Sequence, residues 1–355
     1  MTGLLKSEWT ISVIALIASI LTAVLTFAGV NSVLIFLISV IALATLASVV
    51  GQATEQLGNY LGPGPTGILQ ASVASMPELF VSFFALRAGL VAVVQSAIVG
   101  SILANTLLIL GLAFFFGGLK NGTQRFASER PRSIVILMVL AVSALVVPTL
   151  ANAIHTPAGA HEEALSIASA LILLLVFAAS IPFSWQGGPI GEDMPAKELE
   201  EKPWSVRRAI TTLAMAGVIT AFVSDWFVQA LEPTIESWNI SQAFAGLVVV
   251  AIAGNAVENV VGIRLAIKNR VDYAISVIMN SSLQVALALT PILVLLSYFF
   301  TPVALTLVLP ELLVVALGLA AILSALIVYD GESNWLEGVA LVGLYIMIAV
   351  SFWWG

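Results

Sequence analysis

The chain has 355 residues, of which 60% are hydrophobic and only 9% charged, with a mean hydropathy of +1.08. That composition excludes a water-soluble globular domain and points to a protein built from membrane-crossing segments. With no cysteine there is no disulfide framework, thiol nucleophile or thiolate metal site, and the net charge of −7 says little about partners because most charge lies between the apolar runs.

A membrane-crossing helix needs roughly 20 apolar residues. About eleven runs qualify, near 9–29, 31–60, 64–89, 91–118, 132–153, 161–183, 206–231, 237–267, 270–299, 303–329 and 334–354. The first has no small-residue cleavage site after a short apolar core, so it reads as retained rather than as a signal peptide. The expected class is therefore an all-α integral membrane protein.

One long polar stretch, Ser184–Arg208, divides the chain and carries an acidic run at Glu192–Glu201. It reads as a solvated linker, with a cation-sensing segment as the alternative. Five spans lie between the first span and this linker, and five follow it. An odd number per half puts the halves in opposite orientations, which is an inverted repeat. The expected organisation is an N-terminal span at 1–30, a five-helix repeat at 31–183, a cytoplasmic acidic linker at 184–205 and a second five-helix repeat at 206–355. A cytoplasmic N-terminus places 11 of the 13 Lys and Arg in inside loops or at their edges, which satisfies the positive-inside rule and leaves the C-terminus outside.

Two acids interrupt the apolar runs. Glu78 lies within Ile68–Leu86 and Glu258 within Leu247–Leu265, and they are 258 − 78 = 180 residues apart. A carboxylate at midspan costs several kcal/mol unless it is neutralised, paired or solvated, so each is a functional candidate by default. Pro77 precedes Glu78 and frees carbonyls near Val73 and Ala74, beside Ser75. Gly254 relaxes the helix before Glu258, and Asn255 offers an amide oxygen. Broken spans that present free oxygens beside a carboxylate suit a hard divalent cation. The alternative is a pair of protonated acids tying helices together.

Each acid-bearing run is followed by a run with polar residues on one face. Ser101 and Asn105 are spaced i, i+4 in the first half; Asn280, Ser281 and Gln284 stand in the second. They read either as hydrogen-bonding contacts between helices or as the lining of an ion pathway. At an offset of 180, Ser101 meets Ser281 and Ser75 meets Asn255. Glu55 near a span end fits an entrance acid or a solvated helix end. Glu232 with Glu236, and His155, His161, Glu162 and Glu163 in an outer loop, read as solvated surface groups.

Gly254-Asn255-Ala256-Val257-Glu258 matches the G-N-A-x-E repeat motif of the calcium/cation antiporter superfamily, and the chain resembles its calcium/proton exchanger branch. The runs at 53–58, 93–111, 266–287 and 330–338 are also similar to that branch. The resemblance implies Ca²⁺ as the transported substrate, no cofactor, protons as the coupling ion, and ligands at Glu78, Glu258, Ala74, Ser75, Gly254 and Asn255. It further implies an ion pathway past Glu55, Ser101, Asn105, Asn259, Asn280, Ser281 and Gln284, in a prokaryotic cell membrane. Two departures bear on the coupling ion. The first motif reads Ala74-Ser75-Met76-Pro77-Glu78, which is similar to the sodium/calcium branch, and Asn259 stands where the proton branch has histidine. Sodium is thus the alternative coupling ion. A cation channel is the alternative class. The absence of a phosphate-cradling G-x-x-x-x-G-K-[ST] run and of H-E-x-x-H argues against ATP coupling and against a zinc hydrolase.

Overall fold

The computed structural model describes residues 2–61, 75–126, 129–186 and 204–354, and nearly all of them are helical. In chain order the helices are α1 (Thr2–Phe27), α2 (Ser32–Leu61), α3 (Met76–Arg87), α4 (Val91–Asn121), α5 (Glu129–Ala153), α6 (Glu162–Gln186), α7 (Val206–Trp238), α8 (Gln242–Gly254), α9 (Ala256–Ile267), α10 (Val271–Phe300), α11 (Glu311–Asp330) and α12 (Trp335–Ser351). Eight stretches of described helix are long and apolar enough to cross a membrane. The bent pair α8–α9, with a 64° angle between Gln242–Gly254 and Asn259–Ile267, would make a ninth. Large apolar side chains such as Ile17, Leu175, Met215 and Leu326 point outward, as a lipid-facing surface requires.

The chain packs as two units. The first comprises Met1–Phe84 and Leu175–Trp238 and is centred on α2 and α7. Phe36 of α2 is buried there, stacked on Phe227 at 5.0 Å and edge-on to Trp238 at 5.7 Å. Buried hydroxyls within the helices bond to carbonyls of the preceding turn, as Thr54 does to Val50 and Thr220 to Ala216. The chain enters α7 through Trp204, whose N–H donates to Gln56 Oε1 and whose carbonyl accepts from the Tyr60 hydroxyl. Arg208 lies over the Trp204 ring at 4.3 Å.

The second unit comprises Ala85–Leu174 and Asn239–Gly355. The most buried helix is α4, and it crosses α8 at backbone contact distance. A Cβ on Gly100 would collide with the Leu247 carbonyl, and one on Gly246 with the Val93 carbonyl. Only glycine at both positions lets the helices approach so closely. Short π-helical turns interrupt α4 at Ala104–Ile109, α8 at Ala245–Val250 and α10 at Val285–Leu289. In α10 the turn is followed by Pro291, which lacks an N–H, and the Thr290 hydroxyl donates to the Val285 carbonyl at 2.7 Å.

One expected span starts elsewhere. The run at 303–329 becomes helical only at Glu311, after Pro310. The preceding residues are non-helical, with Leu305, Leu307 and Leu309 buried. Their backbone groups are satisfied by side chains instead of by a helix. Gln95 Nε2 donates to the Thr306 and Val308 carbonyls, and Thr149 both donates to Leu307 O and accepts from Leu309 N. Ser166 and Ser297 accept from Leu307 N and Leu305 N. The other adjustments are smaller: α7 runs to Trp238 rather than stopping near 231, and α12 ends at Ser351.

Elsewhere in this unit, three loops are stitched together. Strand β1 (Gln124–Arg125) pairs antiparallel with β2 (Glu332–Ser333), and Arg125 meets Glu332 at 2.9 Å. Gln124 Nε2 reaches Ala266 O and Asn269 Oδ1, and Asn121 bonds the carbonyls of Ala266 and Ile267.

Local geometry recurs at a spacing of 180. Helices α3 and α9 each have 12 residues and start 256 − 76 = 180 apart. Each is followed by a left-handed residue, Gly89 at φ 79° and Asn269 at φ 59°. The same capping bond closes both, from Leu90 N to Ala85 O and from Arg270 N to Leu265 O. Helices α4 and α10 then begin at Val91 and Val271.

Candidate cation site

Both acids occupy the third position of their helices. Glu78 follows Met76 and Pro77 in α3 and is 8% exposed. Glu258 follows Ala256 and Val257 in α9. Each helix opens at a non-helical residue, Ser75 and Asn255. Pro77 is accommodated because its missing N–H falls in the first turn, where no intrahelical partner exists. Ser75 is half-buried and its carbonyl accepts from Leu79 N at 3.0 Å. Ala74 lies outside the described residues, as do Val73 and most of the polar linker.

The break at Asn255 is the best-defined part of the site. Helix α8 ends at Gly254, Asn255 takes φ −96° and ψ 17°, and α9 starts at the next residue. Asn255 is fully buried and its amide is saturated. Its Oδ1 accepts from Asn105 Nδ2 at 3.4 Å and from the Ser281 hydroxyl at 3.2 Å. Its Nδ2 donates to Ser101 Oγ at 3.1 Å and to Ala251 O at 3.0 Å. Asn105 also donates to Ser281 Oγ at 3.1 Å. Four residues singled out from the sequence, Ser101, Asn105, Asn255 and Ser281, therefore form one network joining α4, the α8–α9 break and α10.

The remaining candidates stand apart from it. Asn280 and Gln284 are half-buried on α10 and take no part in the network. Asn259 is 6% exposed, and its Oδ1 has no hydrogen-bond partner among the described residues. Glu55 is exposed on α2, in the first unit. His155, His161, Glu232, Glu236 and Glu311 are exposed as well. No group of three or more His, Cys, Asp or Glu side chains converges among the described residues, so the outer-loop histidines form no metal site there.

A family model described as sodium/calcium exchanger protein matches residues 31–186 and 208–354. The chain belongs to the sodium/calcium exchanger family. Within it, this exchanger is a member of the calcium/proton branch of the calcium/cation antiporters. It is 36% identical over 327 residues to the Ca(2+)/H(+) antiporter ChaA of Bacillus subtilis (strain 168), covering 90% of this chain and 92% of that one. It is 34% identical over 341 residues to the Ca(2+)/H(+) antiporter of Aphanothece halophytica, covering 91% and 90%. The solved structure of native YfkE superposes with a TM-score of 0.81 at 31% identity, over 97% of this chain and 99% of that one. The family is one of transporters.

Sequence reasoning missed the side chains that hold the buried non-helical segment of this exchanger, namely Gln95, Thr149, Ser166 and Ser297. The available signal was Thr301-Pro302 and Pro310, which bracket a run too proline-limited to be helical from its start. It also missed the α4–α8 crossing.

Proposed function

We propose that this chain is a secondary antiporter that exchanges Ca²⁺ for H⁺ by alternating access. Glu78 and Glu258 are the carboxylates that bind either Ca²⁺ or protons. Ca²⁺ is cargo here, and the exchanger needs no cofactor. The observation that carries this reading is the matched placement of the two acids, each third in a 12-residue helix that opens after a non-helical residue, 180 residues apart. A carboxylate near a helix N-terminus is stabilised by the exposed N–H groups, and the C-terminal end of α8 turns carbonyls toward the break, which favours a cation. The remaining ligands are drawn from Ala74, Ser75, Gly254 and Asn255, and Ser101, Asn105 and Ser281 line the pathway with Asn259, Asn280 and Gln284. Glu55 serves as the entrance acid.

The chemistry follows from charge. Two carboxylates holding one Ca²⁺ are neutral as a set, and two protonated carboxyls are neutral as well. Either occupant removes the penalty for charge in the membrane, whereas the empty, doubly ionised site keeps it. Exchange is obligatory because only the occupied forms change conformation, and no hydrolysed fuel is required.

The architecture assigned to this function is an N-terminal span and two inverted five-helix repeats, eleven spans in all, with a cytoplasmic N-terminus. The repeated capping geometry at Gly89 and Asn269 supports the duplication. So do the two separate stretches matched by the family model, one on either side of the linker. The stitched loops at 121–126, 266–269 and 332–333 support the topology, because it assigns all three to the cytoplasmic side.

Protons are favoured as the coupling ion by the relatives named Ca(2+)/H(+) antiporter. Sodium is the second reading, carried by Ser75 and Pro77 before Glu78. The testing experiment is Ca²⁺ flux in proteoliposomes under a pH gradient. Glu78→Gln and Glu258→Gln keep size and hydrogen bonding but cannot carry the charge, so each should abolish coupled flux in a folded protein. Transport at the parental rate by either variant would refute the shared site.

A further inference from the structure

We infer that Asn259, rather than Asn255, supplies the neutral side-chain oxygen to the cation in the second half of the chain, and so takes part in its selectivity. The inference rests on the function proposed above and changes its ligand set at one position, taking the side-chain oxygen of Asn259 in place of that of Asn255. Asn255 stands at the break and Asn259 one turn into α9, with Asn259 N–H donating to Asn255 O at 3.0 Å, so the two are neighbours at the start of that helix. Their amides are in opposite states. Asn255 Oδ1 already accepts two hydrogen bonds and its Nδ2 makes two more. To bind a cation directly it would have to release Asn105 or Ser281. Asn259 is 6% exposed and its Oδ1 accepts nothing among the described residues.

A buried acceptor without a donor is rare and calls for an explanation. A cation supplies one. Hard divalent cations take six to eight oxygens and readily combine carboxylates with neutral Asn carbonyls. Asn259 directly follows Glu258, so a carboxylate residue and an amide residue stand in succession on α9. The labour is thereby divided. Asn255 fixes the geometry of the break by holding α4 and α10 to it, and Asn259 offers an oxygen that no described group claims.

The two asparagines should respond oppositely to apolar replacement. A residue kept for packing or internal hydrogen bonds lowers stability when its polar group is removed. An orphaned acceptor does not, because its removal relieves an unmet need. The test uses the purified full chain, with thermal unfolding measured with and without Ca²⁺ and Ca²⁺ uptake kinetics in proteoliposomes. Asn259→Leu should unfold at or above the parental temperature without Ca²⁺, lose most of the Ca²⁺-induced stabilisation, and raise the KM for Ca²⁺ about tenfold, the loss expected for one charge-assisted contact. Asn259→Asp keeps shape and an oxygen, and should bind Ca²⁺ at least as tightly as the parent. Unchanged Ca²⁺ affinity in Asn259→Leu, or a folded Asn259→Asp that no longer binds Ca²⁺, would overturn the assignment. If Asn259→Leu does not fold, the residue is structural and the assignment falls. A parental protein that is neither stabilised nor transports in Ca²⁺ would sink the broader function along with it; a parent that does both while Asn259→Leu matches it sinks this inference alone.

Discussion

Asn105 and Asn255 are 150 residues apart in sequence, yet their side-chain amides meet at 3.4 Å in the core of one folded unit. The contact joins a π-helical turn in α4 to a break between two short helices. Both are places where regular backbone pairing is interrupted, and side-chain amides take over the work of connecting them. Ser281 closes the arrangement from α10, so three separate elements are fixed around one buried amide.

Replacing Asn255 should therefore damage the fold before it damages binding. Asn255→Leu leaves Ser101, Asn105 and Ser281 without their shared partner in a dry setting. Hydrogen bonds between membrane helices average about 0.6 kcal/mol and reach about 1.7 kcal/mol each. With several lost together, a destabilisation of about 2 kcal/mol is expected. Thermal unfolding in detergent should show a clear drop in midpoint, and Asn255→Asp should lose less than Asn255→Leu. An Asn255→Leu protein as stable as the parent would mean that the network carries no net stability.

The α4–α8 crossing gives a second prediction, decided by space alone. A single methyl at Gly246 would run into the Val93 carbonyl and crowd Ser96. Backbone cannot yield as a flexible side chain can. Gly246→Ala should cost about 1–3 kcal/mol, the usual range for overpacking. Gly100→Ala meets Leu247 at the same crossing, so the double variant should lose less than the sum of the two, because the helices need separate only once. Additive losses measured by unfolding would show that the two glycines act independently.

How far the sequence foretold this depends on the kind of signal. Hydropathy runs and the positions of Gly, Pro and the two acids are local properties, and they located most of the described helices and the interruption beside Gly254. Spacing of i, i+4 put Ser101 and Asn105 on one face, and the two do meet in one network. What stayed hidden was anything set by packing. Leu305, Leu307 and Leu309 are as apolar as any span, and nothing in their composition says that Gln95, Thr149 and Ser166 will satisfy the backbone there in a non-helical form. Nor can spacing reveal that Asn255 is saturated and Asn259 is not, since the two are the same residue type one turn apart.

The pH dependence of transport follows from competition. If protons and Ca²⁺ share Glu78 and Glu258, lowering the pH fills the carboxylates with protons and weakens Ca²⁺ binding. The apparent KM for Ca²⁺ should fall as pH rises, and level off once both carboxyls are ionised throughout. Initial rates of uptake across a pH series, at saturating and subsaturating Ca²⁺, measure this directly. A KM that stays flat from mildly acidic to alkaline pH would exclude competition at these two acids.

The coupling ion is the point on which the two halves of the sequence disagree. The run from Gly254 to Glu258 and on to Gln284 is similar to proton exchangers, while Ser75 with Pro77 is similar to sodium exchangers. Asn259 does not titrate, but a carboxylate can take the proton itself, so proton coupling needs no histidine. Coupling to Na⁺ would require further fixed oxygens beside the Ca²⁺ site, and the acid-bearing runs hold no midspan acid beyond Glu78 and Glu258. Ca²⁺-loaded proteoliposomes distinguish the cases. An inward proton gradient in sodium-free buffer should drive Ca²⁺ efflux, and an inward Na⁺ gradient at clamped pH should not. Efflux driven by Na⁺ alone would reverse the assignment. Efflux that needs neither gradient and does not saturate with Ca²⁺ would indicate a pore, because a carrier that moves only when occupied must saturate, and its flux must stop when the exchanging ion is withheld.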